Sequence, residues 1–216
     1  NWPGYIIEMH QEFESTFPAY KWEITEAGTD DYRWGRRDCR FFNGLSSAWA
    51  AGGGANGGLL SCGSTYPGNL DTSMTYGPFS TEEGILNGEM VFKVFMNSEV
   101  DHDFLWVTAG PGGSSEYGFK MSGNSSGWIT KTLNLNDLDG AGHSVIGYPN
   151  VWIRFRFTSD YLGHIGEGAF IDDILLRLCK TEQCNPNLSP LMKTGDDGEI
   201  SPDDLIVVPV EYIPGQ

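Results

Sequence analysis

The chain has no run approaching the roughly 20 apolar residues that a membrane-spanning helix needs, and no stretch keeps a 3.6-residue apolar period. A scaffold of long amphipathic helices is therefore excluded. Positive charge is scarce as well: 13 Lys and Arg stand against 29 Asp and Glu, a formal net charge of −16. That balance repels nucleic acid and anionic membrane surfaces, and it suits solubility outside the cell or cation binding. The four cysteines include no CxxC metal knuckle. His10, His102, His143 and His164 are scattered, without the spacing of a metal-binding helix and without a serine and an acid nearby in sequence. The nucleophile, base and oxyanion donors of a hydrolase cannot be filled from them, so the chain is expected not to be an enzyme.

What is abundant points to β structure. With 29 Gly, 11 Pro and 13% aromatic residues, the composition favours many short strands joined by tight turns. A length of 216 residues suits one large all-β domain with a tail, or two small domains. Strands are expected at 5–13, 22–26, 89–96, 103–109, 117–121, 128–135, 151–158 and 168–178. Trp152, Arg154 and Arg156 alternate with Ile153, Phe155 and Phe157, giving one mixed and one apolar face, as in an antiparallel sandwich. Residues 28–69 read as loop, with the glycine run 52–58 as a turn or a close backbone contact; no Lys-Ser or Lys-Thr follows it, which excludes a phosphate loop. Gly123-Asn124-Ser125-Ser126-Gly127 matches a nucleophile elbow in letters only, because strand-forming residues follow it; it is expected to be a hairpin turn.

A chain opening on Asn1 is expected to be a processed or partial one. Cys39, Cys62, Cys179 and Cys184 allow three disulfide pairings, of which 39 with 62 and 179 with 184 are the most local, and disulfides imply a secreted or cell-surface protein. Asn124 and Asn187 begin sequons that a glycosylating host could modify.

Gln11-Glu12-Phe13-Glu14, then Trp22 and Trp34, the strand Val151-Trp152-Ile153-Arg154-Phe155 and the closing Gly168-Ala169-Phe170-Ile171-Asp172-Asp173-Ile174 resemble MAM-like and carbohydrate-binding-like jelly-roll modules of secreted proteins. The match spans about residues 8 to 179, and the cysteines depart from the MAM pattern. The resemblance implies two packed antiparallel sheets and a role in adhesion, ligand binding or assembly. It also implies a structural calcium between an acid of the first strand and one of the last, here Glu14 with Asp172 or Asp173, and Asp38 as a possible loop contributor. The competing reading is that these acids hold turn amides or pair with Arg154 or Arg177. Residues 195–205 match an EF-hand loop only in part, since Lys193 and Gly195 occupy two ligand positions; an acidic linker is the better reading.

The sequence thus divides into a jelly-roll sandwich over 1–184, an acidic linker over 185–204 and a terminal strand over 205–216. Leu205, Ile206, Val207, Val208, Val210, Tyr212 and Ile213 form a strand that needs a partner for its backbone and side chains. A 20-residue linker reaches roughly 60 Å, well beyond a sandwich with a radius of gyration near roughly 16 Å. The main expectation is therefore an extracellular homopolymeric filament assembled head to tail by donation of this strand. The alternative is an accessory carbohydrate- or protein-binding module of a secreted enzyme or adhesin, with Trp34, Tyr66 and Tyr76 as the glycan platform.

Overall fold

The computed structural model describes residues 4–28, 31–113, 117–162 and 166–180. They form eleven strands: β1 (Tyr5–Gln11), β2 (Trp22–Glu26), β3 (Arg33–Arg37), β4 (Ser47–Gly53), β5 (Asp71–Phe79), β6 (Asn87–Asn97), β7 (Phe104–Pro111), β8 (Tyr117–Met121), β9 (Ile129–Asn134), β10 (Val151–Thr158) and β11 (Gly168–Cys179). A single helical turn, α1 (Gly54–Gly57), follows β4. Two antiparallel sheets result. One has the order β3-β4-β11-β6-β9, with β1 also paired to β11; the other has the order β2-β5-β10-β7-β8. This is the jelly-roll sandwich that the resemblance implied. The proposed linker and terminal strand, residues 185–216, lie outside the described residues.

The core is made where the apolar faces of the two sheets meet. Strand β10 buries Val151, Ile153, Phe155 and Phe157 and turns Trp152, Arg154, Arg156 and Thr158 outward, a period-2 pattern. Phe155 meets Phe92 of β6 edge to face across the gap, 5.0 Å between ring centres. Trp34 bridges the sheets by donating its indole N–H to the carbonyl of Thr72, 3.2 Å away.

The two sheets differ on their outer sides. That of the first sheet is covered by the two segments that flank β4, 38–46 and 54–70. Trp49 and Phe170, stacked at 5.3 Å, are fully buried beneath it, and the Arg40 guanidinium lies 4.1 Å over Phe95. Arg37 donates to the carbonyls of Gly57 and Leu60 at 3.0 and 2.7 Å. The Cys39–Cys62 disulfide ties this cover down, the local pairing read from the sequence. Cys179 is also in a disulfide, while Cys184 lies outside the described residues.

Three strands, β3, β4 and β5, fall where loop was expected or no strand was read. Strand β4 is Ser-Ala-Trp-Ala-Ala-Gly-Gly and has no β-branched residue, because both its faces are covered and small side chains are what fit. The glycines are close-packing sites: a Cβ at Gly35 would sit 2.5 Å from the Gly53 Cα, and one at Gly57 would sit 2.3 Å from the Ala51 carbonyl oxygen. The segment Gly123 to Gly127 is also not a hairpin turn. It links β8 of one sheet to β9 of the other, so it is a crossing between sheets.

Candidate functional site

Among the described residues nothing covers the outer face of the second sheet, and its side chains are set by strand register. Arg154 on β10 stands level with Thr75 on β5 and Thr108 on β7; Arg156 stands level with Ser73 and Trp106; Thr158 stands level with Asp71 and Phe104. Lys120 of β8 is paired with Trp106, and Glu23 of β2 with Thr75. Trp152, Trp106 and Phe104 are half-buried on this side, while Arg156, Lys120 and Glu23 are exposed. Aromatic rings on this face are thereby interleaved with charged and hydroxyl groups.

Several contacts hold the platform in place before any ligand arrives. Arg156 donates through Nε and Nη2 to the two carboxylate oxygens of Asp71, both at 2.7 Å, a two-point pair that fixes the guanidinium plane. These bonds push the Arg156 pKa above its ordinary value. Trp106 donates its indole N–H to Thr158 Oγ1 at 3.3 Å, and its ring centre lies 5.8 Å from that of Phe104. Trp152 lies across Gly77, where a Cβ would come within 2.8 Å of the indole, so glycine is required beneath it. Among the described residues Arg154 makes long contacts to neutral oxygens, 3.4 Å to Thr75 Oγ1 and 3.4 Å to the Gly113 carbonyl. Lys120 rests over Phe104 and Trp106, with Nζ 4.0 and 4.9 Å from the ring centres; its exposed side chain must swing aside for a flat ligand to stack.

Trp34, Tyr66 and Tyr76 are not part of any such platform. They are 2%, 1% and 2% exposed and present no face to a glycan, because each fills the space between the sheets. Tyr66 donates to Asp103 and packs edge to face on Phe157 at 5.1 Å. Tyr76 donates to Glu8 Oε1 at 3.2 Å; burial, then the Glu8 charge, pushes its phenol well above the usual range. The most exposed aromatics, Tyr20 and Tyr161, lie in loops, while those of the open face, Phe104, Trp106 and Trp152, stand half-buried on β7 and β10. Their signal in the sequence is the mixed face of Trp152, Arg154 and Arg156, which does not by itself reveal that Trp106 lies alongside.

The acids read as calcium ligands take two different surroundings. Glu14 Oε1 accepts the backbone N–H of Leu45 and Ser46 at 2.9 and 3.0 Å. Asp172 Oδ2 accepts those of Phe42 and Asn43 at 2.7 and 3.2 Å. Both carboxylates therefore grip the loop 42–46. Burial pushes the Asp172 pKa up to about 6, against the lowering effect of its backbone hydrogen bonds. Asp173 diverges from them, because β11 has a bulge here: the register shifts between Asp172 and Leu175, and Asp173 takes a φ of 47°. Its carboxylate faces His10 instead. Asp38 groups with Cys39 and Cys62, whose sulfurs are bonded to each other. Asn124 is exposed and accepts the Ser126 N–H at 2.7 Å. His102 faces Asp160 at 3.4 Å, and His143 faces Asp139 at 2.7 Å and stacks on Tyr117. Asn187 and the strand residues 205–213 lie outside the described residues.

A concavity of about 620 Å³ opens between the edge strands β2 and β3, walled by Phe17, Ile24, Trp34 and the backbone of Gly35 and Gly52 to Gly54. Arg36 at its rim donates to the Phe13 carbonyl. Among the described residues no helix is long and apolar enough to cross a membrane.

No family model and no curated protein matches this chain. Solved structures do. A xylan-binding domain from Paenibacillus barcinonensis aligns with a TM-score of 0.48 and 12% identity, covering 82% of this chain and 96% of that one. The K1 cleaved adhesin domain of Lys-gingipain from Porphyromonas gingivalis aligns at 0.48 and 14%, covering 78% and 96%. The family 11 carbohydrate-binding module of a Clostridium thermocellum cellulase aligns at 0.47 and 10%, covering 82% and 95%. At these TM-scores and identities the functional reading rests on the geometry of the site itself.

Proposed function

We propose that this chain is an extracellular, non-catalytic binding module that holds a polysaccharide across the outer face of the sheet β2-β5-β10-β7-β8. The observation that carries this reading is the set of half-exposed Trp106, Trp152 and Phe104 on an open sheet face among Arg154, Arg156, Asp71, Glu23 and Thr108. A pyranose ring has an apolar face of C–H groups and a rim of hydroxyls. Its flat side stacks on an indole and removes apolar area from water, while guanidinium and carboxylate groups reach the rim. The Arg156–Asp71 pair and the indole bond of Trp106 hold these groups in position beforehand, which lowers the ordering cost of binding. Affinity electrophoresis of the full chain through a panel of soluble neutral and uronate polysaccharides tests the proposal. At least one polymer should retard the protein, and a Trp106→Ala/Trp152→Ala variant with unchanged unfolding behaviour should migrate freely. Equal retardation of the variant would refute this face.

A structural calcium shared by Glu14 and Asp172 belongs to the same proposal. Both donors are hard oxygens gripping one loop, and Asp172 is a buried carboxylate that a cation would neutralise. Calcium should then raise the melting temperature of chelator-treated protein. Strand donation into a filament has its donor, residues 205–213, outside the described residues, so no contact described above bears on it.

A further inference from the structure

We infer that His10, Glu12 and Asp173 form a binding site for a zinc-type divalent cation, separate from the glycan face and from the oxygen-only pair Glu14 and Asp172. His10 lies near the end of β1 and Glu12 just after it, two residues apart, so alternation sets both on one side of the strand. Strand β1 pairs with β11, with His10 opposite Leu175 and Gln11 opposite Ile174. The bulge at Asp173 turns its carboxylate out toward this corner. His10 Nε2 is then 3.2 Å from Asp173 Oδ1 and 4.0 Å from Glu12 Oε1. The three ligand atoms all lie within 4.8 Å of one another.

Zinc bonds nitrogen and oxygen ligands at about 2.0–2.2 Å in a tetrahedron, which places neighbouring ligand atoms about 3.3–3.5 Å apart. The His10 and Asp173 atoms, 3.2 Å apart, stand just inside that separation, and the Glu12 carboxylate, on an exposed side chain, is 4.0 Å from His10 and within 4.8 Å of Asp173, so it closes by roughly 1 Å. The fourth position faces solvent, since the His10 and Glu12 side chains are 44% and 53% exposed. An imidazole nitrogen in the set selects against calcium and magnesium, which take oxygen ligands, and favours zinc and its neighbours. Two carboxylates balance the charge of the dication. Bound there, the ion would pin the first strand to the last.

The test uses the full chain, stripped with a chelator and dialysed. Zinc chloride is titrated while the histidine ring resonances are followed by NMR, His10 being assigned from the spectrum of a His10→Gln variant. The expected result is a shift of the His10 signals that saturates at one equivalent, and at least a tenfold loss of affinity at this site in Asp173→Asn and Glu12→Gln. Calcium or magnesium at the same concentration should neither reproduce this saturating shift nor displace the zinc. His10 signals unmoved by zinc in the wild-type chain would overturn the assignment, and so would equal zinc affinity at His10 in the Asp173→Asn and Glu12→Gln variants. Because the wild-type spectrum alone can fail the proposal, misfolding of a variant does not protect it.

Discussion

Arg177 and Glu89 form a buried ion pair between β11 and β6, with side-chain exposures of 1% and 9%. The guanidinium also lies 4.6 Å over the ring of Tyr5 on β1. Replacing Glu89 with Ala takes this carboxylate away from a positive charge enclosed by three strands. Breaking such a pair from one side costs about 3–5 kcal/mol, which for a domain of this size lowers the melting temperature by roughly 6–20 °C. Removing both charges is a different perturbation. In Glu89→Leu/Arg177→Met the buried volume stays apolar, and the double variant should lie within about 1 kcal/mol of wild type. Urea unfolding followed by tryptophan fluorescence provides the assay, with an unchanged m-value confirming that the midpoint reports stability. If the single variant loses under about 1 kcal/mol, water reaches the guanidinium and the charge is not enclosed. A double variant as unstable as the single one would show that volume, not charge, is decisive.

Loss of the Cys39–Cys62 bridge, by Cys39→Ala/Cys62→Ala, frees a sequence separation of 23 residues; the loop-entropy relation gives a cost of about 3 kcal/mol, read as a lower urea midpoint. Gly35→Ala should destabilise more than a surface substitution does, because its Cβ meets backbone rather than a movable side chain; a calorimetric scan checks this. Trp106→Ala should weaken binding to any retarding polysaccharide about 5- to 30-fold, the equivalent of roughly 1–2 kcal/mol of lost stacking area. The pH dependence follows from Asp172, whose folded pKa of about 6 lies above its ordinary value of 3.8. As pH rises the unfolded chain releases this proton first, so the contribution is full below about pH 4 and is lost towards pH 6. In chelator the wild-type urea midpoint should fall across that window, by an amount worth about 2–3 kcal/mol. Asp172→Asn should flatten the fall, and an unchanged slope would refute the buried carboxylate.

The sequence by itself determined the class of the fold and much of its strand content. Segments 22–26, 117–121 and 151–158 are strands with those bounds, because alternation of large apolar and polar residues is a local property of a half-buried strand. Strand β4 was illegible for the opposite reason: with both faces covered it has no alternation, and its alanines and glycines are chosen by the backbone and side chains packed on it. Strand β5, with its Gly77-Pro78, carries turn letters inside a sheet.

The site divides along the same line. Arg154 and Arg156 beside Trp152 declared a mixed face, yet whether that face was open depended on which sheet the 38–62 excursion covers, and that is a matter of non-local packing. Trp34, Tyr66 and Tyr76 illustrate the converse, since a lone aromatic in a polar stretch reads as exposed until the second sheet closes over it. Tertiary structure alone brought Asp71, Trp106 and Arg156 onto one face, and His10 and Glu12 against Asp173. Pairing register between strands far apart in sequence sets these distances, and one bulge in β11 decided which of two adjacent acids faces the loop and which faces the histidine.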